Sequence, residues 1–124
     1  MTWINFIALA AVIQYLYFGY QVSMARTMYG VKAPAITGNE AFERLYRVQM
    51  NTLEQLVAFL PALYIAAEYW STTFCGLLGL VYLVGRAVYA RAYVKNPDGR
   101  GKGFMVSVIP IFLLLLLGLI GVLF

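Results

Sequence analysis

Histidine is absent from this chain, and cysteine occurs once, at Cys75. The first absence removes the commonest general base and the commonest metal ligand. The second excludes a disulfide framework or a cysteine metal site within the chain, so no metal is expected. Charge is scarce as well: 11% of residues are charged, and only five are acidic. A soluble domain of 124 residues needs a polar surface that this composition does not supply. With 63% hydrophobic residues and a mean hydropathy of +0.79, the chain reads as one membrane domain over 1–124. Nucleic acid is excluded as a partner. The nine Lys and Arg residues that give the net charge of +4 are scattered between apolar runs, without a basic arm or recognition motif.

What remains is a set of long apolar runs. A membrane-spanning helix needs about 20 mostly apolar residues. Residues 1–25 carry no charged side chain, residues 55–85 carry only Glu68, and residues 103–124 carry none. Splitting the middle run at "EYWSTTFCG" predicts four spans, near 3–27, 40–69, 73–95 and 103–123: an all-α, four-helix membrane bundle. The first turns of span 2, 40–47, stand in the aqueous or headgroup layer. Asn39 is placed as its N-cap. "ALA" at 8–10 resembles a signal cleavage site, but it comes too early and follows no basic segment, so span 1 reads as retained. Pro61 and Pro110 fall inside spans, where neighbouring helices re-satisfy the freed carbonyls. Cys75 reads as a small packing residue, and Asn5 and Gln14 as groups that bond across helices.

All nine cations, Arg26, Lys32, Arg44, Arg47, Arg86, Arg91, Lys95, Arg100 and Lys102, lie toward one face of such a bundle. The positive-inside rule puts both basic loops in the cytoplasm and both termini outside. On span 2, Arg44, Arg47, Asn51, Glu54 and Gln55 share about 100° of helical arc. On span 3, Arg86, Tyr89 and Tyr93 share about 60°. Ionisable groups in a membrane cost roughly 2.5–3.5 kcal/mol each on insertion scales, so these stripes face the bundle interior or a wet cavity. Two readings stand. In the bland one, Glu54 neutralises Arg47 or Arg86, Arg44 anchors at the membrane edge, and Arg91 and Lys95 snorkel to the headgroups. In the functional one, Arg26, Arg47, Arg86 and Arg100 outnumber the nearby acids Glu54 and Asp98 and form, with tyrosines, a pocket for a carboxylate-bearing ligand.

The segment "ERLYRVQMNTLEQ" resembles the E-R-x-x-R-x-x-x-N-x-x-E signature of the MAPEG superfamily, membrane-associated proteins in eicosanoid and glutathione metabolism. Within it, the likeness is to the leukotriene C synthase and microsomal glutathione transferase group. "MARTMYGVKAPAITG" looks like that group's first loop and "CGLLGLVYLVGRAVYARAY" like its third helix, so the resemblance covers roughly residues 15–105. It implies a homotrimer with glutathione, as co-substrate, held between neighbouring subunits. Arg47, Asn51, Glu54 and Gln55 on helix 2, and Arg86, Tyr89 and Tyr93 on helix 3, match binding positions. Arg26 matches an arginine at the end of helix 1, and Arg100 the arginine that activates the thiol. Departures occur at Gln55, where the leukotriene-forming enzymes carry Tyr, and at Thr27, where they carry a second consecutive Arg. "NPDGRGKG" is richer in Gly and Pro than the matching segment and places Arg100 on a mobile loop rather than at a helix start.

The implied activity is that of a membrane-bound glutathione transferase acting on lipophilic electrophiles, with glutathione-dependent peroxidase activity toward lipid hydroperoxides. The alternative is a non-catalytic lipid-binding or scaffold protein of the same superfamily. A channel or transporter ranks last, because the ionisable groups stop at one half of the bundle. The chain is compact, as bacterial members of that superfamily tend to be, so the resemblance implies a bacterial inner membrane.

Overall fold

The computed structural model describes residues 1–124. Four helices follow one another: α1 over Thr2–Tyr29, α2 over Glu40–Tyr69, α3 over Thr72–Lys95 and α4 over Gly101–Leu123. All four are long and apolar enough to cross a membrane. The boundaries have local causes. Gly30 ends α1 at φ 69°, a left-handed conformation in which glycine carries no Cβ penalty, and its N–H returns to the Arg26 carbonyl. Asn39 caps α2 as anticipated, its Oδ1 accepting from Phe42 N at 3.0 Å. Ser71 caps α3 in the same way, accepting from Phe74 N at 3.3 Å.

One expectation is overturned here. The segment around Arg100 is not a loop. Pro97–Arg100 form a 3-10 turn that runs directly into α4, so Arg100 stands at the helix start. Asn96 Oδ1 accepts from Asp98 N at 3.2 Å and caps the turn. Pro97 occupies its first position, where a missing N–H removes no bond and a fixed φ helps.

The helices alternate in direction, and cross-links of high sequence separation hold them in register. Tyr64 Oη donates to Asn5 Oδ1 at 2.7 Å, and Gln14 Nε2 donates to the Leu83 carbonyl at 3.0 Å, so Asn5 and Gln14 do bond across helices. Trp70 Nε1 donates to the Leu117 carbonyl at 2.7 Å. At the opposite end Arg44 Nη1 donates to the Val94 carbonyl at 3.2 Å.

The main core fills the end of the bundle that carries the termini. Ile4, Ile7 and Ala11 of α1 meet Phe59, Leu63 and Ala66 of α2, Cys75 and Tyr82 of α3, and Leu114 of α4. The rings of Phe59 and Tyr82 stack at 3.9 Å with 10° between planes. Toward the basic end this single core gives way to two small clusters. One holds Val22, Ala25, Val31 and Phe42; the other holds Phe18, Val48 and Tyr89. The bundle therefore opens where the polar residues lie.

In a membrane, helices associate through close packing rather than through escape from water, and small residues let backbones approach. The α3–α4 contact shows this twice. A Cβ on Gly85 would stand 2.5 Å from Ser107 N, and one on Gly103 would stand 2.3 Å from Tyr89 N. Both neighbours are backbone and cannot rotate away. Gly85→Ala and Gly103→Ala should therefore each push α3 and α4 apart. Thermal melts in detergent should show destabilisation of about 1–3 kcal/mol, the usual cost of overpacking.

Candidate functional site

The site begins with α3. Its Arg86 is fully buried, although it carries a guanidinium. Nη2 donates to Thr52 Oγ1 on α2 at 2.8 Å, and Nη1 donates to Ser107 Oγ on α4 at 3.3 Å. The guanidinium carbon lies 4.2 Å from the Tyr89 ring centroid, within cation–π range. No carboxylate neutralises it. The chain's one ion pair is between Arg44 and Glu40, at 3.9 Å on α2. Glu54 is exposed and pairs with neither Arg47 nor Arg86, so that part of the bland reading does not hold. Thr52 and Ser107 in turn donate to their own helix backbones, at Val48 O (2.7 Å) and Phe104 O (2.8 Å). This keeps their lone pairs directed at Arg86.

One helical turn beyond Arg86, a cleft of about 730 Å³ opens at the basic end. Arg47 and Asn51 of α2 form one wall. Tyr89 and Tyr93 of α3 form another. Asp98 and Arg100 of the 3-10 turn, with Gly101 and Phe104 of α4, complete it. The Tyr89 and Tyr93 rings lie 5.6 Å apart, and Phe104 lies 6.2 Å from Tyr89. Arg100 sits over Tyr93 at 5.8 Å, and its Nη1 donates to the Pro97 carbonyl at 2.7 Å. Asn51 lines the cleft, with its Oδ1 shielded from solvent and without a donor. An orphaned acceptor of this kind costs stability unless a ligand or water supplies an N–H or O–H.

Five of the residues singled out from sequence thus meet in one cleft: Arg47, Asn51, Tyr89, Tyr93 and Arg100. Arg86 stands behind it, beneath Tyr89. Glu54 and Gln55, although on the same helical stripe, are not in its lining. Arg26 is also outside it. Its Nη1 donates to the Ala35 carbonyl at 2.7 Å, and its guanidinium lies 4.8 Å over the Phe42 ring, so it braces the α1–α2 loop. Asp98, Phe104 and Gly101 join the lining without having been selected as site residues, and Thr52 and Ser107 were not recognised as holders of Arg86. Ser107 is a hydroxyl within an otherwise apolar span, but its spacing alone does not mark it as a partner of Arg86.

Chemically, the cleft offers two guanidinium groups and two phenols, with the Asn51 amide in its wall, around a space large enough for a small peptide. Its single acid is Asp98. Such a set is complementary to an anion. The fold and this cleft define a four-helix membrane protein with a polar, cation-lined site at one end.

Sequence comparison places it. The profile of the MAPEG family matches residues 4–120, and the chain belongs to that family. It is 41% identical to microsomal glutathione S-transferase 2 of Homo sapiens, over 95% of this chain and 84% of that protein. It is 34% identical to leukotriene C4 synthase of Bos taurus, over 94% and 78% respectively. An uncharacterized protein of Synechocystis sp. is 42% identical over 99% of this chain and 90% of its own length.

The Arg86 node can be tested directly. Thr52→Val keeps the side chain's shape but leaves Nη2 unpaired in addition to Nε. It should cost about 1–3 kcal/mol, read as a lowered melting temperature. Thr52→Ser, which restores the hydroxyl, should recover most of that loss.

Proposed function

We propose that the chain is a glutathione transferase of the membrane, adding the glutathione thiolate to lipophilic electrophiles and acting as a glutathione-dependent peroxidase on lipid hydroperoxides. The observation that carries this reading is the joint presence of Arg47, Arg100, Asn51, Tyr89 and Tyr93 around one cleft of about 730 Å³. Glutathione is a tripeptide with two carboxylates, an ammonium and amide N–H groups, which are the complements of this donor and acceptor set. Arg47 supplies a bidentate, charge-assisted contact to a carboxylate. Asn51 adds a side-chain amide to the wall beside it. The two tyrosines add hydroxyl donors and apolar walls. Arg86 does not reach into the cleft; it holds Tyr89 in place from below.

When bound, glutathione brings the nucleophile. A free thiol has a pKa of about 8.5, so little thiolate exists at neutral pH. A neighbouring guanidinium favours the anion. Arg100 has that role, because it sits at the lip of the cleft and forms no ion pair. Its place where the 3-10 turn meets α4 fixes its backbone more tightly than a loop would. No protein base is obligatory, in keeping with a chain that lacks histidine. The similarity to microsomal glutathione S-transferase 2 and leukotriene C4 synthase supports the same substrate class.

The working assembly is a homotrimer, with Glu54, Gln55 and Arg26 contributing across subunit boundaries. None of the three lines the cleft of its own chain. The basic end faces the cytoplasm of a bacterial inner membrane, since all nine cations cluster there.

The experiment uses detergent-purified protein, with titration calorimetry for glutathione and conjugation of a small aromatic electrophile for turnover. Arg47→Ala should weaken glutathione binding about 10- to 100-fold, the value of a charge-assisted contact. Arg100→Ala should leave affinity within a few-fold but lower kcat by about 100-fold. It should also move the rising limb of the pH–rate profile upward, toward the pKa of the free thiol. If wild type fails to bind glutathione, the transferase reading is wrong. Binding without turnover in wild type would favour the scaffold alternative.

A further inference from the structure

A second cavity, of about 600 Å³, lies on the other side of α3. Tyr89 and Tyr93 face the first cleft, whereas Val88, Arg91, Val94 and Lys95 face this one. Helical arithmetic puts these two sets on roughly opposite sides of α3. The opposing wall is α1, through Gln14, Tyr17 and Gln21, and the floor is Leu45 and Val48 of α2. The proposed function uses none of these residues.

The groove is graded along its length. Its deep end is Gln14, tied to the Leu83 carbonyl. Its mouth is Lys95, at the end of α3. Its α3 wall runs from Ala87 to Lys95, about 12 Å at 1.5 Å per residue. That is most of the depth of one leaflet, which is half of the roughly 30 Å hydrocarbon core of a bilayer. The lining between is mostly apolar, with Ala87, Val88 and Val94 from α3. The mouth is cationic. Arg91 and Lys95 stand one helical turn apart, both exposed, and neither has an acidic partner. α1 and α3 run in the same direction, so Gln21 lies near the level of Arg91. Its Nε2 donates to Tyr17 Oη at 3.4 Å, adding two polar groups at the mouth.

We infer that this α1–α3 groove is a binding site for an anionic phospholipid, with the phosphate held by Arg91 and Lys95 and one acyl chain laid along α3 toward Gln14. Snorkelling alone explains two cations at a membrane edge. It does not explain why a mostly apolar groove begins directly beneath them. Charge complementarity selects an anionic headgroup over a zwitterionic one, since juxtamembrane cations attract anionic lipid individually. The site is separate from the glutathione cleft and does not depend on that reading.

Native mass spectrometry of the detergent-purified full chain, titrated with phosphatidylglycerol or phosphatidylcholine of matched acyl chains, tests the proposal. Wild type should bind phosphatidylglycerol more tightly than phosphatidylcholine. Arg91→Gln with Lys95→Gln should lower that affinity roughly 30-fold. The control pair Lys32→Gln with Lys102→Gln, which removes equal charge outside the groove, should change it less than about threefold. Val88→Trp, which fills the groove without changing charge, should also reduce phosphatidylglycerol binding. Equal affinity for the two lipids would overturn the proposal, as would equal losses in the groove and control pairs. Unchanged binding in Val88→Trp would do the same. So would a change in subunit number in Val88→Trp, which would assign the groove to a second copy of the chain. The lipid comparison and Val88→Trp keep the test decisive even if the double variant does not fold.

Discussion

A guanidinium buried inside a membrane bundle without a counter-ion is the constraint around which the polar half of this molecule is arranged. Removing a charge from water is costly, and one left unsatisfied inside a protein costs more than most single contacts return. Arg86 is kept by dispersed means: a threonine hydroxyl from α2, a serine hydroxyl from α4 and the face of Tyr89 on its own helix. Its Nε has no partner. Each contact comes from a different direction, so Arg86 joins three helices at one point. That point lies where the apolar core ends and the cleft begins. The cleft's floor is therefore fixed by the same interaction that closes the core.

The node in turn depends on backbone proximity. Ser107 reaches Arg86 because α3 and α4 touch at Gly85 and Gly103, where no side chain would fit. The same approach carries the 3-10 turn and Arg100 over Tyr93. Close packing, the buried charge and the position of the proposed thiol-activating arginine are thus one mechanical chain. Asn96 and Pro97 contribute by making the segment before α4 a short helix rather than a loose connection. The result is a cleft whose walls come from three helices but whose relative placement is set by two glycines and two hydroxyls.

Much of this was legible in the residues. The four spans, the cap at Asn39, the cross-helix bonds of Asn5 and Gln14 and the gathering of cations at one end all follow from local rules. The resemblance at "ERLYRVQMNTLEQ" is matched by family membership over residues 4–120. Other features were not legible. Thr52 and Ser107 each bond to their own helix backbone, which is what hydroxyl residues in membrane helices ordinarily do. Nothing in their spacing distinguishes a hydroxyl that also receives a buried arginine. Pro97, Gly99, Gly101 and Gly103 read as a flexible linker, because Gly and Pro punctuate structure in most contexts. Here one of those glycines is a packing contact and the proline starts a helix.

The sequence by itself determined the class of element, the need for a membrane and the one-sided charge. These depend on composition and on the 3.6-residue period, both properties of a single helix. Only the tertiary structure decided which members of a polar stripe share a cavity. Periodicity fixes a side chain's angle about its own axis and says nothing of where a neighbouring helix crosses or how closely it approaches. Arg47, Asn51, Glu54 and Gln55 share one stripe, yet only the first two line the cleft with Tyr89 and Tyr93. Arg86 belongs to the stripe of Tyr89 and Tyr93 but stands beneath them, where the hydroxyls of Thr52 and Ser107 accept its hydrogen bonds.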